Sequence, residues 1–255
     1  MRRKTTVVLI LFVMLGLVGQ GAVDQESDVT ATSDLSQVTG VQPVFSFVMS
    51  EASASEVSGN SVQKTEDFGD SYEEDLRMSL EVANLFWEKH WSDYFTGKYT
   101  LPSALISYYG DNNPKCGNEI INGEDNAYYC IAEDYIAWDT LFLKRLYSDP
   151  QFGDSSTYLI IAHEWGHAIQ ARLNNSLVSV ASELQADCFA GATIAGLVKD
   201  GDLYLEPGDR GEIFATLVEV ADKYEWGSPS EHGSADQRIE AYQGGEKNGI
   251  RACLP

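Results

Sequence analysis

The sequence predicts an α+β domain, mainly helical, with a small antiparallel sheet. Apolar residues recur at helical spacing in five separate segments, and two short neighbouring segments are instead rich in aromatic and β-branched residues. A Ser/Thr-rich acidic stretch ahead of them shows neither pattern. At 255 residues and 44% hydrophobic composition, the chain has enough apolar side chain for one generous domain.

The N-terminus, MRRKTTVVLILFVMLGLVGQGA, sets Arg2, Arg3 and Lys4 ahead of an apolar run and then small residues. That is the layout of a signal peptide over residues 1–22, and an uncleaved membrane anchor is the other reading. Either one predicts export, with the remainder secreted or held on the extracellular face of the membrane. No cysteine follows the apolar run, which argues against a lipid-anchored lipoprotein. Residues 23–69, with SEASASEVSGNS as a sample, read as a disordered acidic Ser/Thr-rich spacer, and the VFSFVM patch in it as part of a tether. The folded domain is expected over 70–255.

The formal charge of −22 excludes a general nucleic-acid binder or a protein that docks on anionic lipid heads. Four cysteines in an exported chain point to disulfides. Three pairings are possible; the favoured one joins Cys116 with Cys130 across a short loop and Cys188 with Cys253, tying the tail to the body. No cysteine lies in the spacer, so a thiol latch is not expected.

The first helix is read from SYEEDLRMSLEVANLFWEKHWSDYF, where Leu76, Leu80, Ala83, Phe86, Trp87 and Trp91 share a face. His90 on it has no ligand-type neighbour at ligand spacing and reads as a surface or hydrogen-bonded histidine. LPSALISYYG and AYYCIAEDYIAWD supply the strands, the second as a hairpin turning near Glu133 and Asp134. Helices follow at about Ser156 to Leu173, Ser182 to Lys199, Arg210 to Tyr224 and Ala235 to Gln243. The last has a Ser234 and Gln237 capping box, and Gly244 with Gly245 is expected to stop it.

The chemistry centres on IIAHEWGHAIQ. On a helix, His163 and His167 lie on one face a turn apart, so both rings can reach a single cation at about 2.0 to 2.1 Å, the zinc to nitrogen distance. Glu164, turned by about 100°, stands beside them, placed to serve a zinc-activated water. H-E-x-x-H on a helix is a zinc peptidase pattern, but it needs a third ligand. ASELQADCFAGATIAG offers Glu183 as that ligand. Asp187, one turn on, can accept the Nδ1 proton of a liganding histidine, while Ala186, Ala190 and Gly191 let the helix approach closely.

HEWGH, then ELQADCFAG, then HGSADQR, in that order, resemble the neutral zinc metallopeptidase family, a branch of the zincins with a glutamate third ligand. The resemblance spans about Tyr72 to the C-terminus. It implies a zincin-like domain that binds Zn2+ through His163, His167 and Glu183, with Glu164 as general base, Asp187 behind the ligands and a peptide or protein as substrate. His232, in the third matching segment, is a candidate donor to the developing oxyanion; a loop histidine that only orders the chain is the competing reading. The strand DYIAWD could present a free edge to an extended peptide, or be an ordinary core strand with Tyr135 and Trp138 as packing residues.

These readings predict an exported zinc-dependent peptidase. The alternatives are a zinc-stabilised extracellular binding module without turnover and an acidic interaction protein that has lost activity.

Overall fold

The computed structural model describes residues 71–119, 121–173, 180–222 and 232–254. The signal segment and the spacer expected before residue 70 lie outside these residues. Helix α1 spans Tyr72–Tyr94 and is capped by Ser71, whose hydroxyl accepts the Glu74 amide at 3.3 Å. Its apolar face buries Leu80, Ala83, Phe86, Trp87 and Trp91. Leu76 is only partly buried. Trp87 meets Phe189 edge to face, at 5.6 Å between ring centroids. His90 is held by Asp93 at 2.9 Å and Asp200 at 2.7 Å, a hydrogen-bonded surface histidine.

The sheet holds three strands, β1 Ala104–Tyr108, β2 Ala127–Cys130 and β3 Tyr135–Asp139, in the order β1-β3-β2. β2 and β3 form the expected antiparallel hairpin, but β1 runs parallel to β3, so the sheet is mixed and not antiparallel. β2 lies between β1 and β3 in sequence and runs opposite to β3, so it carries the chain back to the starting end. β3 occupies the middle because all five residues of YIAWD are buried. It therefore has no free edge for a peptide, and Tyr135 and Trp138 are packing residues.

Helix α2, Thr140–Ser148, follows β3 directly and is capped by Asp139, which accepts the Leu141 amide at 3.0 Å. Helices α3 Ser155–Arg172, α4 Val180–Asp200, α5 Asp209–Glu219 and α6 Ala235–Asn248 make up the rest of the body, and a short 3-10 turn covers Ile250–Cys253. α5 ends at Glu219, before the expected Tyr224, which lies outside the described residues. Both expected disulfides are present, Cys116 to Cys130 and Cys188 to Cys253.

α6 begins at its capping box, as expected, but Gly244 and Gly245 do not end it; it runs on to Asn248 and stops at Gly249, which has φ 71°. A Cβ on Gly245 would run into the Cys188 carbonyl, and one on Gly191 into that of Tyr242. The glycines let α4 and α6 touch backbone to backbone, and that packing outweighs the local tendency of glycine to break a helix. Among the described residues no helix is long and apolar enough to cross a membrane.

One carboxylate is buried at a cost. Asp75 is 1% exposed and accepts the hydroxyls of Tyr147 and Tyr158, both at 3.1 Å. Burial, then the charge of Asp154, raises its pKa to about 6. The protonated form is thus favoured by folding: the stabilisation is complete below the ordinary pKa of about 3.8 and is lost as pH rises through about 6. Asp75→Asn is expected to raise the thermal midpoint at pH 7.5, by at most about 3 kcal/mol of stability, and to change it little at pH 4. Equal midpoints at both pH values would contradict this.

Candidate metal centre

Helix α3 is sunk in the core from Ser155 to Gly166, which puts His163 and Glu164 at 6% and 5% exposure. α4 crosses it where Gly166 leaves room for the backbone of Ala186. Of the small residues expected to ease this approach, Ala186 does so; Gly191 faces α6 instead. The crossing brings Glu183 over the two histidines. His163 Nε2 lies 3.1 Å from His167 Nε2, and the Glu183 carboxylate oxygens lie 3.2 Å from the first and 3.3 Å from the second. His163, His167 and Glu183 each offer one ligand-type atom within 4.8 Å of the others.

Hydrogen bonds behind the rings fix which nitrogen faces inward. His163 Nδ1–H donates to Asp187 Oδ1 at 2.8 Å, and His167 Nδ1–H to Gln170 Oε1 at 2.9 Å. Gln170 is oriented in turn, its Nε2 donating to the Ser182 carbonyl at 2.6 Å and its Oε1 accepting the Ser182 hydroxyl at 2.8 Å. With both Nδ1 atoms acting as donors, the Nε2 lone pairs point at each other and at a carboxylate. Such an arrangement repels itself unless a proton or a metal ion sits in it. Asp187 is fully buried, and Arg238 of α6 meets both its oxygens, Nε to Oδ2 and Nη2 to Oδ1, each at 2.8 Å.

The electrostatics agree with the geometry. Burial opposes ionisation of Glu183, yet hydrogen bonds from His163 and His167 hold its pKa well below the carboxylate range. Burial likewise disfavours a charged Asp187, and Arg238 and His163 outweigh it. Burial works against a proton on His163, but Asp187 and Glu183 push its pKa up to about 10, so cations are strongly favoured here. Glu164 is different: burial raises its pKa, and its Oε2 is buried without a hydrogen-bond partner. A divalent cation fits this chemistry. Its two charges plus that of Arg238 balance the three carboxylates of Glu164, Glu183 and Asp187, with both imidazoles neutral.

His163, Glu164, His167 and Glu183 line a cavity of about 1170 Å³, bordered on one side by β2 and on another by His232. His232 is half exposed; its amide donates to Asp222 Oδ2 at 3.0 Å, and its Nδ1 lies 3.4 Å from Asp222 Oδ1. It shares the cavity but not the three-residue ligand cluster. Two further groups of ligand-type atoms lie outside this cavity. Cys116 and Cys130, near Glu133, are joined as a disulfide. Asp154, Asp209 and Glu212 gather at the starts of α3 and α5, where burial, with the neighbouring carboxylates, raises the pKa of Asp209 and Glu212.

The spacing in the sequence did not single out Gln170 or Arg238. Gln170 had a local signal, being three residues after His167 on the same helical face. Arg238 is 51 residues from Asp187, beyond any spacing rule.

A family profile described as "Putative neutral zinc metallopeptidase" matches residues 27–253. That match starts within the stretch read as a spacer. An uncharacterized protein of Mycobacterium tuberculosis, Rv2575, is 30% identical over 193 residues, 62% of this chain and 64% of the relative. An uncharacterized protein of Escherichia coli K12, YpfJ, is 31% identical over 160 residues, 53% of this chain and 52% of the relative. The chain thus spans between about half and 64% of the length of these curated relatives. No solved structure matches.

Proposed function

The chain belongs to the neutral zinc metallopeptidase family, and from that premise we propose that it is an exported zinc-dependent peptidase. His163, His167 and Glu183 hold the metal, and Glu164 is the general base. The observation that carries this reading is the convergence of two Nε2 lone pairs and a carboxylate in a cavity, beside a glutamate whose buried oxygen has no partner. A purely structural zinc site has no use for such a base.

Zinc, when bound, supplies a Lewis acid that polarises the scissile carbonyl and makes water a better nucleophile. Glu164 takes a proton from the attacking water as the new C–O bond forms, then gives it to the amine as the C–N bond breaks. Its raised pKa suits a group that must hold that proton between the two steps. Asp187 and Gln170 keep both histidines turned with Nε2 inward.

The substrate strand lies along β2. The Asp139 amide donates to the Asn126 carbonyl at 2.8 Å, so in this antiparallel ladder Asn126 and Tyr128 bond to β3, while the backbone groups of Ala127 and Tyr129 point away from it. Both residues border the cavity and can pair with an extended peptide. His232 is the donor to the developing oxyanion from the cavity rim. His232→Ala is expected to lower kcat by about a hundredfold to a thousandfold with zinc content unchanged; an unaltered kcat would remove His232 from the reaction. Export is supported by the charged and apolar N-terminal sequence and by the two disulfides.

A proteome-derived peptide library, incubated with the protein and read by mass spectrometry for new termini, tests the reading. Termini should appear with the zinc-loaded protein and not after zinc removal. Zinc uptake without new termini would favour a zinc-stabilised binding module.

A further inference from the structure

We propose that Arg238 is a positioning residue for the metal, acting through Asp187 on His163; this rests on the reading of His163 as a zinc ligand. Arg238 is 3% exposed, and three of its N–H groups have defined acceptors. Two reach the two oxygens of Asp187, and Nη1 donates to the Val220 carbonyl, just past the end of α5, at 2.9 Å.

The consequence lies in Asp187 Oδ1, which accepts from both Arg238 Nη2 and His163 Nδ1, each at 2.8 Å. A carboxylate held by one contact can rotate about its last torsion, and the ring bonded to it would follow. The planar fork of arginine grips both oxygens and removes that freedom, which a lysine ammonium cannot do. Arg238 Nη2 also stands 3.4 Å from His163 Nδ1, but with Nδ1–H donating to Asp187 both nitrogens carry hydrogen, so the arginine sets the direction of His163 Nε2 through the carboxylate, two bonds back and from a different helix.

The supports of this fork are themselves fixed. The Ser234 and Gln237 capping box sets the first turn of α6, of which Arg238 is the next residue. Gly191 and Gly245 hold α4 and α6 in backbone contact, and the disulfide from Cys188, adjacent to Asp187, anchors α4 to the C-terminal turn. The two histidines are thus oriented differently: His167 by a neutral amide on its own helix, His163 by an ion pair between α4 and α6.

The test is zinc affinity of the purified protein, measured by competition with a chromophoric chelator, together with the visible spectrum after cobalt(II) loading. Arg238→Lys keeps the charge and loses the fork; Arg238→Gln loses both. Zinc affinity is expected to fall by about tenfold for the lysine variant and up to about a hundredfold for the glutamine variant, with a changed cobalt spectrum in both. Adding Arg238→Gln to Asp187→Asn should cost little more than Asp187→Asn alone, because the arginine acts through that aspartate. Should Arg238→Gln fail to fold, the lysine variant decides. A lysine variant with parent zinc affinity and parent cobalt spectrum overturns the proposal, as do additive losses in the double variant. A parent protein that binds zinc but cleaves nothing overturns the peptidase reading and leaves this one standing. A parent that binds no zinc overturns both.

Discussion

Glu164→Gln is expected to keep one zinc per chain and to lose peptide hydrolysis by about a hundredfold to ten-thousandfold, the range that general-base catalysis contributes. The substitution preserves shape and keeps a polar group at the site, so the ligand set of His163, His167 and Glu183 is undisturbed. The amide cannot take up the proton that the carboxylate accepts from water. Glu164 is buried with an unpartnered oxygen and a raised pKa, so neutralising it removes an unfavourable buried charge. The variant should therefore be no less stable in the metal-free form, and the loss of rate cannot come from unfolding. Cleavage at the parent rate by the glutamine variant would show that Glu164 is not the base.

The second large effect is expected from Glu183→Ala, which takes away the only charged member of the ligand set. Two neutral imidazoles remain, and zinc affinity is expected to fall on the order of a hundredfold or more, with activity lost at zinc concentrations that saturate the parent. Glu183 is partly buried at the start of α4, and its side chain contacts both histidines, so its removal opens the site without hollowing the core. Equilibrium dialysis against buffered zinc reads the change directly. Retention of parent affinity would mean that another group completes the site.

Much of the site was legible because it is written at helical spacing. His163 and His167 share a face of one helix with Glu164 beside them, and Glu183 and Asp187 share a face of another, so the period of 3.6 residues anticipates the cluster that the fold brings together. The Asp187 to His163 bond followed from the same reasoning. What the sequence hid is what tertiary structure decides. Nothing local tells whether β1 runs parallel or antiparallel to β3, because that is decided by β2, which lies between them in sequence and runs opposite to β3. Nor does the apolar run YIAWD announce whether it lies at an edge or in the middle; its burial on both faces does. Helix α2 does carry an apolar face, Phe142, Leu143 and Leu146 at helical spacing, but it is nine residues long and follows β3 without a break, so its start is hidden in the apolar run of the strand. Gly244 and Gly245 carry a stop signal by propensity, and only the contact of α6 with α4 shows why the helix keeps Gly245; Gly244 makes no such contact. Arg238 belongs with these, since its partner comes from another helix altogether.

The central claim is that a metal held by His163, His167 and Glu183 turns this cavity into a peptidase site. Cleavage of an unstructured protein by purified chain of known zinc content, before chelation, after chelation and after zinc is restored, tests it most directly. The expected result is one zinc per chain, cleavage abolished by the chelator and recovered with zinc. Cleavage that survives complete zinc removal, or zinc-loaded protein that cuts nothing, would contradict it.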